Sequence, residues 1–175
     1  MRAVAARAEV PHSATVGIEN RATEMKRAGR DVISLAAGQP DFVTPAHIRE
    51  YAKKALDDGY TFYPPSRGIP ELREAISKKV AERNGIDSDP KTGIIVTVGG
   101  KQAIFSTVMA LIDSGDEVII ADPSWVTYDP CVRIAGGKVV PVPVHEKNQF
   151  RLAAEDIRKA TTSKTKLIII NSPNN

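Results

Sequence analysis

Apolar positions recur along this 175-residue chain with a helical period in its first half and in short β-branched runs in its second. Residues 15–28 form a charged, moderately apolar segment that Gly29 closes as a helix C-cap. The run VISLAA follows and leads into Gly38-Gln39-Pro40-Asp41-Phe42, where glycine and proline bend the chain into a loop. A second helix opens at Thr44-Pro45, with threonine as N-cap and proline at the first helical position. Ile48, Tyr51, Ala52, Ala55 and Leu56 carry its apolar face up to Gly59. Residues 60–70 hold three prolines and a glycine and read as a loop. A third helix runs from Pro70 to about Asn84 and ends at Gly85.

Beyond Gly85 the pattern becomes regular. Apolar, β-branched runs at 94–98, 117–121, 138–144 and 167–170 alternate with helical segments starting near Gly100, Trp125 and Ala153. This is a βαβαβαβ series. Runs as apolar as IIVTV and LIII suit strands covered on both faces, so the predicted fold class is α/β, a three-layer α/β/α arrangement with a largely parallel sheet. The last residues, NSPNN, follow the final strand directly. A freshly added apolar strand with no helix after it leads to the expectation that the chain is truncated.

Composition narrows the function. Twenty-four basic residues against 21 acidic leave a net charge of +3, and the basic residues are spread along the chain rather than forming a run, which argues against nucleic acid. No apolar stretch approaches the roughly 18–20 residues needed to span a bilayer, and the start lacks an apolar signal core. A soluble, cytoplasmic protein without a membrane partner is expected. Cys131 is the single cysteine, and His12, His47 and His145 stand far apart, so neither a disulfide nor a metal site is expected.

Three stretches carry candidate chemistry. In Val96-Thr97-Val98-Gly99-Gly100-Lys101 a strand enters a glycine pair and then a helix. Amides at a helix start carry partial positive charge, and glycine lets a phosphate approach closely; a tight strand-to-helix turn needs the same glycines. Neither a Walker ending nor GxGxxG is present, so a small phosphate monoester fits better than a nucleotide. Trp125, the only tryptophan, follows Asp122-Pro123-Ser124 just past a strand end, where its ring either stacks on an aromatic cofactor or anchors the core. Asn171, Asn174 and Asn175 share that sheet edge, with side-chain amides suited to a ring oxygen, to a carboxylate or to ordinary turn formation.

GQPDF, YTFYPPSRGIPELREAI, VTVGGKQA, DPSWVTY and NSPNN, in this order and spacing, resemble the fold type I, pyridoxal-phosphate-dependent aminotransferases of the aspartate aminotransferase family, from about Ser13 to Asn175. The resemblance implies that residues 1–37 are an N-terminal arm and small-domain segment. Residues 38–175 would be the first, incomplete part of the large cofactor-binding domain. It implies pyridoxal 5'-phosphate as cofactor, with Gly99, Gly100 and Lys101 holding the phosphate and Trp125 stacking on the pyridine ring. Asn175 would bind the phenolic oxygen beside the substrate carboxylate, which Gly38 contacts through its backbone. Tyr63 would reach the phosphate in the neighbouring subunit, which requires a homodimer with shared active sites.

The family works through a lysine Schiff base, and the resemblance puts that lysine, a ring-nitrogen aspartate and a carboxylate-binding arginine beyond Asn175. No catalytic residue is therefore assigned, and the 175 residues alone are expected to be inactive. Ser13, Thr15 and Lys101 resemble positions that accept the distal carboxylate of acidic substrates in one bacterial branch, implying aspartate with 2-oxoglutarate. That branch's prephenate-active members read Lys-Pro-Ser-Ala-Thr, where this chain has Pro11-His12-Ser13-Ala14-Thr15. An aromatic aminotransferase, a carbon–sulfur lyase on the same fold, and a non-catalytic truncated product are the alternatives.

Overall fold

All six expected helices form, and their ends follow local chemistry. The computed structural model describes residues 5, 7, 9, 10, 13–36 and 38–175; Pro11, His12 and Ala37 lie outside the described residues. The chain divides into two compact units, one of Gly38–Val98 and one of Met1–Ala37 with Gly99–Asn175.

In the first of these, α2 spans Ala46–Asp57 and α3 spans Pro70–Asn84. Helix α2 begins one residue later than expected. Pro45 occupies the N-cap with ψ 141, and no side chain caps the helix. Its carbonyl accepts from the Ile48 and Arg49 amides at 3.0 and 3.2 Å, so Pro45, not Thr44, is the boundary residue. Arg49 Nη1 instead donates to the Thr44 carbonyl at 3.0 Å. Helix α3 matches expectation at both ends: Pro70 lies in the first turn, and Gly85 takes the left-handed conformation with φ 66. The Gly85 and Ile86 amides, each 3.1 Å from its acceptor, donate to the Ala81 and Val80 carbonyls and close the last turn.

The strand expected at 94–98 does not form. These residues join no ladder among the described residues, although Ile94 is buried, and the Val96 amide donates to the Arg67 carbonyl at 3.0 Å. Apolar β-branched sequence favours extension, but a strand exists only when a neighbour completes its hydrogen bonds, and none does so among the described residues.

The other unit contains α1 (Ala14–Arg27), α4 (Gly99–Leu111), β1 (Glu117–Asp122), α5 (Tyr128–Ile134), β2 (Lys138–Pro143), α6 (Ala154–Ala160) and β3 (Thr165–Ile169). The sheet is parallel throughout, in the order β2-β1-β3. Central β1 pairs Val118 with Val139 and Leu167, and Ile120 with Pro141 and Ile169. Side chains alternate across a strand, so Val118 and Ile120 face one side and Ile119 the other, and all three are buried. Burial on both faces is why this strand reads as continuously apolar. On the Val118 side lies the core: Val108 from α4, Ile112 just after it, and Tyr128, Cys131 and Val132 from α5, with Trp125, Val139, Leu167 and Ile169 packed against it.

One charged group lies at the amino edge of the sheet. Buried Glu117 accepts from Lys138 Nζ on β2 at 3.0 Å and from Thr162 Oγ1 before β3 at 2.6 Å. The Thr162 hydroxyl first, and the Lys138 ammonium second, hold its carboxyl below the usual glutamate range. No helix of the described residues is long and apolar enough to cross a membrane.

Two outcomes are expected. Val132, on α5 and fully buried in the core cluster, should cost about 2–3 kcal/mol as Val132→Ala, from lost methyl burial plus the cavity left behind; urea denaturation measures it. A carboxyl whose folded pKa is depressed stabilises above its unfolded pKa, and that stability is lost as pH falls through the folded value. Glu117→Gln should therefore flatten the loss of stability on acidification below the ordinary glutamate range. An unchanged acid limb in denaturation midpoints against pH would remove Glu117 as its source.

Candidate active site

Parallel pairing brings the carboxyl ends of β1 and β3 to one edge, and chemistry-bearing residues follow each end directly. After β1 come Pro123, Ser124 and Trp125; after β3 come Asn171 and residues 172–175. The Asn174 amide donates from Nδ2 to the Pro123 carbonyl at 2.8 Å, tying the two segments together. Beside this tie lies a groove of about 870 Å³, lined among others by Ala121, Pro123, Arg151, Ile170, Asn174 and Asn175.

Helix α4 begins at Gly99, whose φ of 79 is a left-handed conformation that glycine adopts without strain. A β-carbon added at Gly99 or Gly100 would meet nothing within 4 Å, so the start of the helix opens onto free space that a ligand can enter. Lys101, the next residue, is exposed, and its Nζ stands 5.6 Å from the centre of the Trp125 ring, a cation–π distance. Thus the glycine pair, its lysine and the tryptophan, 24 residues apart in sequence, form one cluster. Burial raises the Cys131 thiol pKa, and the Lys101 charge pulls it the other way, which puts that charge within electrostatic reach of the core beneath.

Trp125 is half-buried and serves two purposes at once. It packs against the core cluster and meets the Tyr128 ring edge-to-face, with centroids 5.5 Å apart. The same ring lines a smaller cavity of about 280 Å³ with Asp122 and Ser124. Core anchoring, one of the two sequence alternatives, is met, and the ring is half-exposed besides.

The remaining candidates fall in separate places. Ser13 and Thr15 are exposed at the start of α1, with their hydroxyl oxygens 2.9 Å apart, so Ser13 spends its side chain on Thr15 and does not cap the helix. Gly38 and Tyr63 belong to the other unit; both are exposed, and the Tyr63 side chain touches nothing that would shield it, at 104% relative exposure. Among the described residues no cluster of three histidine, cysteine, aspartate or glutamate side chains is arranged to hold a metal ion.

Sequence reading missed two features. Tyr128 looks like an ordinary helix residue, yet it orients Trp125. Gln149 and Phe150 take consecutive positive φ values of 55 and 53 while lining the groove, where they close the turn 146–148 through amide bonds to the Glu146 and His145 carbonyls. Neither residue type signals it in advance.

Residues 30–175 match the family described as aminotransferase class I and II. The chain is 48% identical over 163 residues to a probable aspartate/prephenate aminotransferase of Thermus aquaticus, covering 93% of this chain and 42% of that protein. It is 52% identical over 146 residues to an aspartate aminotransferase of Pyrococcus abyssi, covering 83% and 38%. The solved structure of Thermus thermophilus aspartate aminotransferase with maleate superposes with a TM-score of 0.96 at 46% identity, over all of this chain and 46% of the other. The chain thus spans less than half the length of the relatives it matches. With a family match over most of its residues and a near-superimposable fold, the chain belongs to the class I and II aminotransferases.

Proposed function

We propose that the protein is a pyridoxal 5'-phosphate-dependent aminotransferase that moves an amino group between an L-amino acid, aspartate first, and a 2-oxo acid, 2-oxoglutarate first. The observation that carries this reading is the cluster at the start of α4, where Gly99 and Gly100 leave open space and Lys101 stands over the Trp125 ring. The residues fit the group. Glycine positions without a β-carbon admit a phosphate, a helix start and an ammonium complement its charge, and a half-buried indole offers a flat surface for a pyridine ring.

When bound, the cofactor supplies an aldehyde carbon for the substrate amine and a ring that draws electrons from the substrate Cα. The chain's own residues bind and orient. Gly99, Gly100 and Lys101 would fix the phosphate and with it the ring's position, and Trp125 would hold the ring plane, its rotation limited by the edge-on Tyr128. Asn175, in the groove beyond β3, would hydrogen-bond the phenolic oxygen beside the substrate carboxylate, a group that Gly38 would meet through its backbone. The hydroxyls of Ser13 and Thr15, with Lys101, would accept a distal carboxylate. Tyr63, fully exposed, would reach the phosphate held by a second subunit, giving a homodimer with shared sites. The lysine that bonds the aldehyde is not assigned among these residues.

A second reading has one specific support: the chain is 51% identical over 144 residues to a Thermococcus litoralis protein named aromatic-amino-acid aminotransferase 2. Substrate class therefore needs its own test.

Replacing Trp125 by Leu, which keeps apolar volume toward the core, should weaken retention of pyridoxal 5'-phosphate in equilibrium dialysis by about tenfold, the scale of one lost aromatic stacking contact. Trp125→Phe should retain most of the binding, and unchanged retention in Trp125→Leu would sink the stacking role. For substrate, Thr15→Val should raise KM for aspartate by about tenfold while leaving an aromatic substrate's KM alone, as expected when a hydrogen bond to a charged group is removed. Equal effects on both substrates would favour the aromatic reading.

A further inference from the structure

The positive charge of this chain is unevenly placed. Residues 138–166, from the start of β2 into β3, hold seven basic residues against three acidic, whereas the remaining residues hold 17 basic against 18 acidic. The whole excess therefore lies on one segment, although no basic run marks it.

Several of these charges line one groove. Strand β2 is outermost in the order β2-β1-β3, and α6 packs back against it. Between them lies a groove of about 550 Å³. One wall is the exit of β2, residues 141–144, where Val142 and Val144 are buried and the Val144 amide donates to the Asp122 carbonyl at 2.9 Å. Lys147 and Arg151 line the groove from the turn that follows, and Lys159 lines it from α6; all three are exposed. The turn is held by its own main chain: the Asn148 and Phe150 amides both donate to the His145 carbonyl at 3.0 Å, and the Arg151 amide donates to the Asn148 carbonyl at 3.1 Å. Asp156 is the one carboxylate among the lining residues, so the three cations outnumber it. Lys159 stands 3.9 Å from Glu155, the limit of an ion pair, and Glu155 also meets Arg158 at 3.3 Å. Glu155 is thus shared and leaves Lys159 only partly neutralised.

A cleft that combines one sign of charge with an apolar, low-dielectric wall focuses the field and concentrates counter-ions of the opposite sign. Guanidinium and ammonium groups both donate charge-assisted hydrogen bonds to phosphoryl oxygens. Here they come from two elements, the turn after β2 and helix α6. An anion with several linked phosphoryl groups offers oxygens to both elements, where a single phosphate confines its oxygens to one tetrahedron.

We propose that the groove between β2 and α6 binds a small anion carrying two or more linked phosphoryl groups, held by Lys147, Arg151 and Lys159. This site is separate from the glycine pair at the start of α4 and does not depend on the reading of that cluster. Arg151 also lines the groove beside Asn174 and Asn175, whereas Lys147 and Lys159 do not, so the two lysines test the new site by itself.

The test is calorimetric titration of the full chain with pyrophosphate, orthophosphate and ADP. Pyrophosphate should bind saturably and about tenfold tighter than orthophosphate, the scale of one added charge-assisted hydrogen bond. ADP matching pyrophosphate would identify the linked phosphates alone as the ligand, and ADP binding tighter would identify a nucleotide; both support the site. The double variant Lys147→Gln/Lys159→Gln should weaken pyrophosphate by at least about tenfold. Arg158→Gln/Lys166→Gln removes two charges from the same basic segment at residues that do not line the groove, and should leave the affinity nearly unchanged. Equal losses in the two double variants would reduce the effect to the general field of the segment and overturn the proposal. It is also overturned if wild-type protein does not bind pyrophosphate, or if Lys101→Gln abolishes the binding while the groove variant keeps it, which would put the anion at the start of α4.

Discussion

The parallel pairing of β1 with β2 and β3 is the constraint on which the candidate site depends. Parallel strands all point their carboxyl ends to one edge, and the chain must leave each end through a loop there. Residues 123–125 and 171–175 are therefore neighbours whatever their side chains, and the Asn174 bond to the Pro123 carbonyl records that proximity. The pairing holds because β1 is apolar on both faces: Ile119 is buried on one side, and Val118 and Ile120 against α4 and α5 on the other. Glu117 marks the opposite edge and joins β1 to β2 and to the approach of β3.

The same core also sets the tryptophan. Trp125 cannot move far, because part of its ring seals the cluster that Val108, Tyr128 and Cys131 fill. Its other part faces the start of α4 and the Lys101 ammonium. A ring fixed by packing rather than by its loop has little freedom left to lose when a contact forms on its exposed part.

In the unit Gly38–Val98 guanidiniums hold the irregular backbone beside a small amount of apolar packing around Ile94. Neither α2 nor α3 contains a buried residue, and the irregular segments between α3 and Val98 are held through main-chain carbonyls by Arg67 and Arg73. Irregular backbone needs its polar groups satisfied just as helices and strands do. Arginine, with five donors, can satisfy several at once.

Much of this was legible in the residues themselves. Gly85 ends α3 because glycine adopts φ 66 without strain, and the apolar runs at 117–121, 138–144 and 167–170 became the three strands within one or two residues at each end. The glycine pair that opens α4 and the motifs that pointed to the aminotransferases were equally local, since each depends on residue type at a few adjacent positions. Tertiary structure decided what depends on partners. Residues 94–98 have strand-forming side chains but join no strand ladder among the described residues. Thr44 has a capping side chain, yet Pro45 is the boundary of α2 because its own carbonyl closes the first turn. Trp125 is core anchor and half-exposed ring together, and Arg73 donates to carbonyls on two separate segments. A sequence specifies the conformations its residues prefer, whereas hydrogen-bond partners and buried neighbours come from distant positions that only the folded chain brings together.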